Sequence, residues 1–204
     1  MRSRRRGAVA AAHDRAMEAG QKILDDGGNA LEAAVVTASC LAVVEPYASG
    51  LGGGGFMVAH LPGANESFVL DSRITAPGSA TESMFEGVTS SERKSGGLPV
   101  GVPGAVHHWA VALEHSRTTL KGNLTLRQAL QPAISLASDG FSISKTFLGI
   151  RDRHKLRLSL FPESSRVFLD PALHDKAILR QPALAAVLER IAADGPEAFY
   201  SGPI

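Results

Sequence analysis

The sequence predicts an α+β chain. Three observations carry that expectation: apolar helical runs bounded by capping residues, one pair of alternating segments around a turn, and a Gly- and Pro-rich stretch from Ile74 to Gly104 that separates the hairpin from later helices.

Residues 7–12, GAVAAA, read as a short buried strand. A helical pattern follows from Asp14 to Asp26, and Gly27-Gly28 ends it, since glycine takes the left-handed conformation that closes a helix. Asn29 then caps a second helix, with Glu32 three residues on completing a variant of the capping box. This helix, Ala30 to Val44, is apolar on most sides and is expected to be buried; Glu45-Pro46 stops it. The segment Phe56 to Leu61, a turn at Pro62-Gly63-Ala64-Asn65, and Ser67 to Asp71 read as a β-hairpin.

The stretch Ile74 to Gly104 is read as loop, interrupted by a turn of helix near Met84. Helices resume at Ala105 to His115 and at Leu126 to Ser138, where Pro132 starts, kinks or breaks the second. Asp139-Gly140 closes it, and the charged run Arg151 to Arg157 continues as a solvated helix. The last pattern, Gln181 to Ala193, places Leu184, Val187, Leu188 and Ile191 on one face and ends at Asp194-Gly195-Pro196. No internal repeat is found. Residues 1–204 are expected to be a partial single domain.

Composition excludes several classes. Hydrophobic residues are 44% and charged residues 20% of 204, with a net charge of +1, so neither a disordered tail nor a nucleic-acid binder is indicated. The single Cys40 rules out an internal disulfide and a multi-Cys zinc site, and its apolar helical setting suits a buried structural thiol. Arg4-Arg5-Arg6 resembles the basic start of an export signal. The apolar part that follows, Gly7 to Ala12, is shorter than the roughly 7 to 15 residues such a signal needs, so the compartment is undetermined. The longest apolar run, Ala33 to Val44, falls short of the roughly 18 to 20 residues of a membrane span.

The segment Gly50-Leu51-Gly52-Gly53-Gly54-Gly55 fits the dinucleotide pattern G-x-G-x-x-G, with Asp71 roughly 20 residues beyond Gly50, where a ribose partner would stand. The pattern requires a strand before the glycines and a helix after them, so that helix N–H groups meet the pyrophosphate. Here a helix precedes them and a strand follows. The glycines therefore read either as a tight turn under other backbone or as backbone passing close to a substrate. The histidines His13, His60, His107, His108, His115, His154 and His174 lack ligand-like spacing, and no G-x-S-x-G elbow or H-E-x-x-H is present. No metal or cofactor is implied.

Five blocks then carry a resemblance. The segment GAVAAAHDRAMEAGQKILDDGGNALEAAVVTASCLAVVEPYASGLGGGGFMVAHL, then LDSRITAP, SGGLPVGVPGAVHHWAVALE, QPAISLASDGF and GPEAFYSG resemble, in order, the N-terminal part of the gamma-glutamyltranspeptidase large subunit. The resemblance runs from about Gly7 to Gly202, and related acylases of the same superfamily share these blocks. It implies an N-terminal-nucleophile hydrolase: an αββα sandwich of two sheets between helical layers, of which this chain holds only part. It also implies a precursor that cleaves itself into large and small subunits. The new N-terminal threonine of the small subunit attacks the gamma-glutamyl amide with its own α-amine as base.

By the same resemblance the nucleophile lies beyond Ile204. None of Thr37, Thr75, Thr81, Thr89, Thr118, Thr119, Thr125 or Thr146 stands in the processing context, so no catalytic residue is expected in these 204 residues, and alone they are expected to be inactive. The small subunit of the same precursor, or a second chain, is the implied partner. Arg73 matches the family's arginine that holds the α-carboxylate of the glutamyl group, a task that suits a planar guanidinium. The family usually has Glu next, where Ile74 stands here, and Asp71 is placed to orient Arg73 instead. Gly52, Gly53, Gly54 and Gly55 match the family's Gly-rich segment and are expected to shape the site.

The expected function is a gamma-glutamyl transferase or glutathione hydrolase. The alternatives are a cephalosporin-type beta-lactam acylase, an inactive fragment that only binds a partner chain, and nucleotide binding at the glycines.

Overall fold

The computed structural model describes residues 7–61, 65–202 and 204. Arg4-Arg5-Arg6 and the turn residues Pro62-Gly63-Ala64 lie outside them. In chain order the elements are α1 (Asp14–Asp25), α2 (Ala30–Val44), β1 (Phe56–Leu61), β2 (Glu66–Asp71), α3 (Ala105–Leu120) and α4 (Leu126–Ser138). Then come β3 (Phe141–Ser142), α5 (Lys145–Arg153), α6 (Lys155–Ser159), α7 (Pro162–Phe168), β4 (Ile178–Leu179), α8 (Pro182–Asp194) and α9 (Glu197–Tyr200). They form two compact units, Met1–Gly50 with Val106–Ile204, and Leu51–Ala105.

In the first unit α2 is the core. Both halves of its capping box form: the Asn29 side chain accepts from the Leu31 and Glu32 N–H groups, and Glu32 accepts from the Asn29 N–H. Val35, Val36, Cys40, Val43 and Val44 are almost wholly buried, because α1 packs on one side of α2 and α4 on another. The approach of α1 to α2 is close: a Cβ on Gly20 would stand 2.0 Å from Thr37 Oγ1. Buried Gln181 then ties α8 to α2, donating from Nε2 to the Val43 carbonyl at 2.9 Å and so satisfying one of the orphan acceptors at that helix end.

Some expectations need correction. Residues 7–12 form no strand and are half-buried to exposed. Their backbone is instead held by Gln21, which accepts from the Val9 N–H at 3.1 Å and donates to the Gly7 carbonyl at 3.2 Å. Near Met84 there is no helix but a run of turns, with Met84, Glu86 and Val88 each bonded to the residue three before it. Helix α3 continues past His115 to Leu120, supported by the Arg117–Glu114 pair at 2.6 Å and by Thr118 Oγ1 donating to the Glu114 carbonyl at 3.0 Å.

Pro132 lies inside a continuous α4. It denies a donor to the carbonyl of Gln128, which is exposed, so water can replace the lost bond. The run Arg151 to Arg157 is not one solvated helix. It breaks at His154, whose N–H is shared between the Ile150 and Arg151 carbonyls, and Arg151 is half-buried with Nη1 on the Leu173 carbonyl at 2.9 Å. The block at the chain's end has a structural use: the Tyr200 phenol accepts from the His107 N–H at 3.1 Å in the first turn of α3.

The second unit is built on the β1–β2 hairpin, antiparallel in register from Phe56↔Asp71 to Leu61↔Glu66. Both faces carry apolar side chains. Met57, Ala59, Phe68 and Leu70 are half-buried, whereas Phe56, Val58 and Val69 are 63%, 76% and 60% exposed. Among the described residues the sheets are two-stranded: this hairpin, and the short β3–β4 pair in the first unit.

Candidate functional site

Glycine is what makes the surroundings of Arg73 possible. One pair beyond the hairpin register, Gly55 and Ser72 exchange backbone bonds: Ser72 N–H to the Gly55 carbonyl at 2.9 Å, and Gly55 N–H to the Ser72 carbonyl at 3.3 Å. A Cβ on Gly54 would stand 2.0 Å from the Ser72 carbonyl oxygen, and one on Gly104 would stand 2.1 Å from the same atom. The two glycines therefore leave a slot that only hydrogen atoms can line. Gly101 does the same farther along, where a Cβ would meet Ile74 Cγ2 at 2.1 Å and the Thr75 carbonyl at 2.8 Å. Thr75 and Val102 pair reciprocally at 3.3 and 2.9 Å, which fixes the far end of this span.

Arg73 stands between these two pinned points, and its side chain is exposed. Among the described residues no carboxylate lies within ion-pair distance of its guanidinium. Asp71 does not face it either: Asp71 Oδ1 accepts from the Arg73 backbone N–H at 2.9 Å, so it orients the main chain rather than the charge. The arrangement is chemically a free planar cation on a rigid backbone beside a run of glycines. Such a group can take a carboxylate through two parallel bonds.

The glycines divide by role. Nothing lies within 4 Å of a Cβ built on Gly52 or Gly55, whereas Gly54 cannot carry one. The Gly53 carbonyl accepts from the N–H groups of Gly104 and Ala105, both at 3.0 Å. The order of elements argues against a phosphate cradle, since α2 precedes the glycines and β1 follows them.

Other chemistry is accounted for elsewhere. Burial pushes the Cys40 thiol up to about 12, so it stays protonated and inert at neutral pH. His13 caps α1, its Nδ1 accepting from the Arg15 N–H at 3.2 Å. No group of three His, Cys, Asp or Glu side chains suited to a metal occurs among the described residues. No helix among them is long and apolar enough to cross a membrane. A cavity of about 370 Å³ lies among Tyr47, Phe147, Ile150, Leu158 and Phe161, with Arg151 in its wall. The Arg151 guanidinium is already taken up by Asp152 and the Leu173 carbonyl, and His154, Arg157 and Ser164 complete the polar part of the wall.

Sequence reading singled out Arg73 and the glycine run but not Ser72, Gly101 or Gly104, which the structure places around the Arg73 backbone. Gly101 and Gly104 stand in the segment GVPG, a visible signal of close backbone approach, but nothing in the sequence names the carbonyl that Gly104 shares with Gly54.

The family described as Gamma-glutamyltranspeptidase matches residues 16–204. Glutathione hydrolase 2 of Arabidopsis thaliana is 40% identical over 200 residues, covering 97% of this chain and 33% of that protein. The chain thus spans about a third of the length of this curated relative. Among solved structures, gamma-glutamyltranspeptidase of Helicobacter pylori is similar at a TM-score of 0.89 and 35% identity, covering 97% of this chain and 57% of that one. A cephalosporin acylase from Bacillus halodurans is similar at a TM-score of 0.73 and 27% identity, covering 99% of this chain and 41% of that one.

Proposed function

The chain belongs to the gamma-glutamyltranspeptidase family, and from that premise we propose that it is the glutamyl-gripping part of a gamma-glutamyl transferase or hydrolase acting on glutathione and related compounds. Its fold is α+β, of the N-terminal-nucleophile hydrolase type. Residues 1–204 are read as part of a single domain that the remainder of the protein completes. The exposed apolar row Phe56, Val58 and Val69 supports a covering partner, since an alternating strand with apolar residues on both faces belongs in a sheet covered on both sides.

The observation that carries the proposal is the free guanidinium of Arg73 on its pinned backbone. In this reading Arg73 donates two bonds to the substrate's α-carboxylate, and Gly52, Gly53, Gly54 and Gly55 line the acyl chain. The nucleophile is a threonine outside these residues. Its hydroxyl oxygen bonds to the γ-carbonyl carbon, and the hydroxyl proton passes to its own α-amine. The C–N bond then breaks, and the amine leaves with that proton. Water or an amino acid takes the acyl group from the resulting ester, and backbone N–H groups stabilise the oxyanion in both steps.

The test is Arg73→Lys in a full-length version. A point charge cannot reproduce the fork, so KM for a gamma-glutamyl amide should rise about tenfold or more. Unchanged kinetics would remove Arg73 from the site.

A second reading, a cephalosporin-type acylase, draws on one observation. Ile74 stands where the family usually has Glu, and it is 43% exposed beside Arg73. Without that carboxylate, a substrate lacking the α-ammonium loses less. Comparable turnover of glutaryl and gamma-glutamyl amides would favour the acylase, and a strong preference for gamma-glutamyl would dismiss it.

A further inference from the structure

We infer that Ser72 is a positioning residue for Arg73, acting together with Asp71 to hold the one peptide plane that aims the guanidinium. The inference rests on the reading of Arg73 as the carboxylate-binding group.

The Ser72–Arg73 peptide is fixed at both ends. Its carbonyl oxygen occupies the slot between Gly54 and Gly104 and accepts from the Gly55 N–H, while its N–H donates to Asp71 Oδ1. The Ser72 hydroxyl then repeats both ladder bonds. Oγ donates to the Gly55 carbonyl at 2.9 Å and accepts from the Gly55 N–H at 3.3 Å. Gly55 and Ser72 are therefore joined four times where an ordinary facing pair is joined twice. An apolar residue at 72 would keep only the two backbone bonds.

This side chain has no hydrogen left to offer a substrate, because its O–H already points at Gly55. Its effect on binding has to pass through Arg73. A guanidinium that makes two parallel bonds must be coplanar with the carboxylate, so any rocking of its own peptide plane weakens both bonds together. The reciprocal Thr75–Val102 pair closes the other side of the span, so the Ser72–Arg73 peptide is the hinge that remains to be locked.

The test uses a full-length version containing these residues, with a gamma-glutamyl amide as probe. Ser72→Ala should raise KM about fivefold, the effect of losing roughly one net hydrogen bond, with kcat within about twofold. Ser72→Thr keeps the hydroxyl and should restore KM. Asp71→Ala releases the other end of the same peptide and should also raise KM, so the proposal stays testable if Ser72→Ala fails to fold. In an Arg73→Lys background, Ser72→Ala should add almost nothing. An unchanged KM in Ser72→Ala, or in Asp71→Ala if the former does not fold, overturns the positioning role when the same enzyme responds to Arg73→Lys. A Ser72→Ala effect that persists in full beside Arg73→Lys overturns it too. An enzyme indifferent to Arg73→Lys instead overturns the underlying reading of Arg73.

Discussion

Glu32 is an acid only 2% exposed at the start of α2, and removing it tests how the first unit is held together. Its Oε1 accepts from the Asn123 N–H at 2.9 Å and the Leu124 N–H at 2.8 Å, and its Oε2 accepts from the Asn29 N–H at 2.9 Å. One carboxylate thus caps its own helix and fastens the loop between α3 and α4. Three bonds to a charged acceptor, at about 1.5 to 3 kcal/mol each, set an upper bound near 5 to 9 kcal/mol. Asn123 is exposed and Asn29 and Leu124 are half-buried, so water recovers part of this in the variant. Glu32→Ala should therefore destabilise by about 3 kcal/mol, a large share of a stability of about 5 to 15 kcal/mol. Glu32→Gln, which keeps one carbonyl oxygen but turns an NH₂ toward a donor, should lose roughly half as much. Urea unfolding followed by circular dichroism measures both, and amide exchange at Asn123 and Leu124 should quicken in step. A change below about 0.5 kcal/mol, the range of an ordinary surface substitution, would refute the latch.

The glycines make a paired prediction. Gly54→Ala should lower stability by about 1 to 3 kcal/mol through the clash with the Ser72 carbonyl, whereas Gly52→Ala, with nothing within 4 Å, should be neutral or slightly stabilising in the same melting experiment. Equal effects would mean that clearance is not what selects Gly54. His108 supplies a pH dependence. Burial holds its imidazole below the ordinary 6.5, and its Nδ1 has no partner among the described residues. Below pH 6.5 the unfolded chain binds a proton that the folded chain resists, so stability falls as the pH drops. His108→Leu should flatten that slope without loss of stability at about pH 8; an unchanged slope would assign the acid sensitivity elsewhere.

Capping chemistry was legible because it is local. Asn29 and Glu32 stand three apart and meet within one turn, and Gly27 takes its positive φ of 94° where the first helix ends. Arg73 was singled out only by resemblance, since an arginine after a strand carries no sign of a use. Ser72 was hidden because its significance comes from Gly55, Gly54 and Gly104, which the fold gathers around one carbonyl. The strand expected at residues 7–12 failed for a similar reason: Gln21, a polar residue on α1, supplies the bonds that a neighbouring strand would have given. Alternation located the two strands of the hairpin to within a residue, but it could not say that Phe56, Val58 and Val69 would be left uncovered in this chain.

The central claim is that Arg73 grips a substrate carboxylate, and a cycle that deletes each partner tests it. A full-length version and its Arg73→Ala variant are assayed with a gamma-glutamyl amide and with the matching 4-aminobutyryl amide, which lacks the α-carboxylate. Two charge-assisted bonds are together worth about 3 kcal/mol, so the parent should prefer the gamma-glutamyl amide in kcat/KM by about 100-fold. In Arg73→Ala that preference should shrink to within about threefold, since the carboxylate then has no fork to meet. The same preference in both proteins would contradict the account.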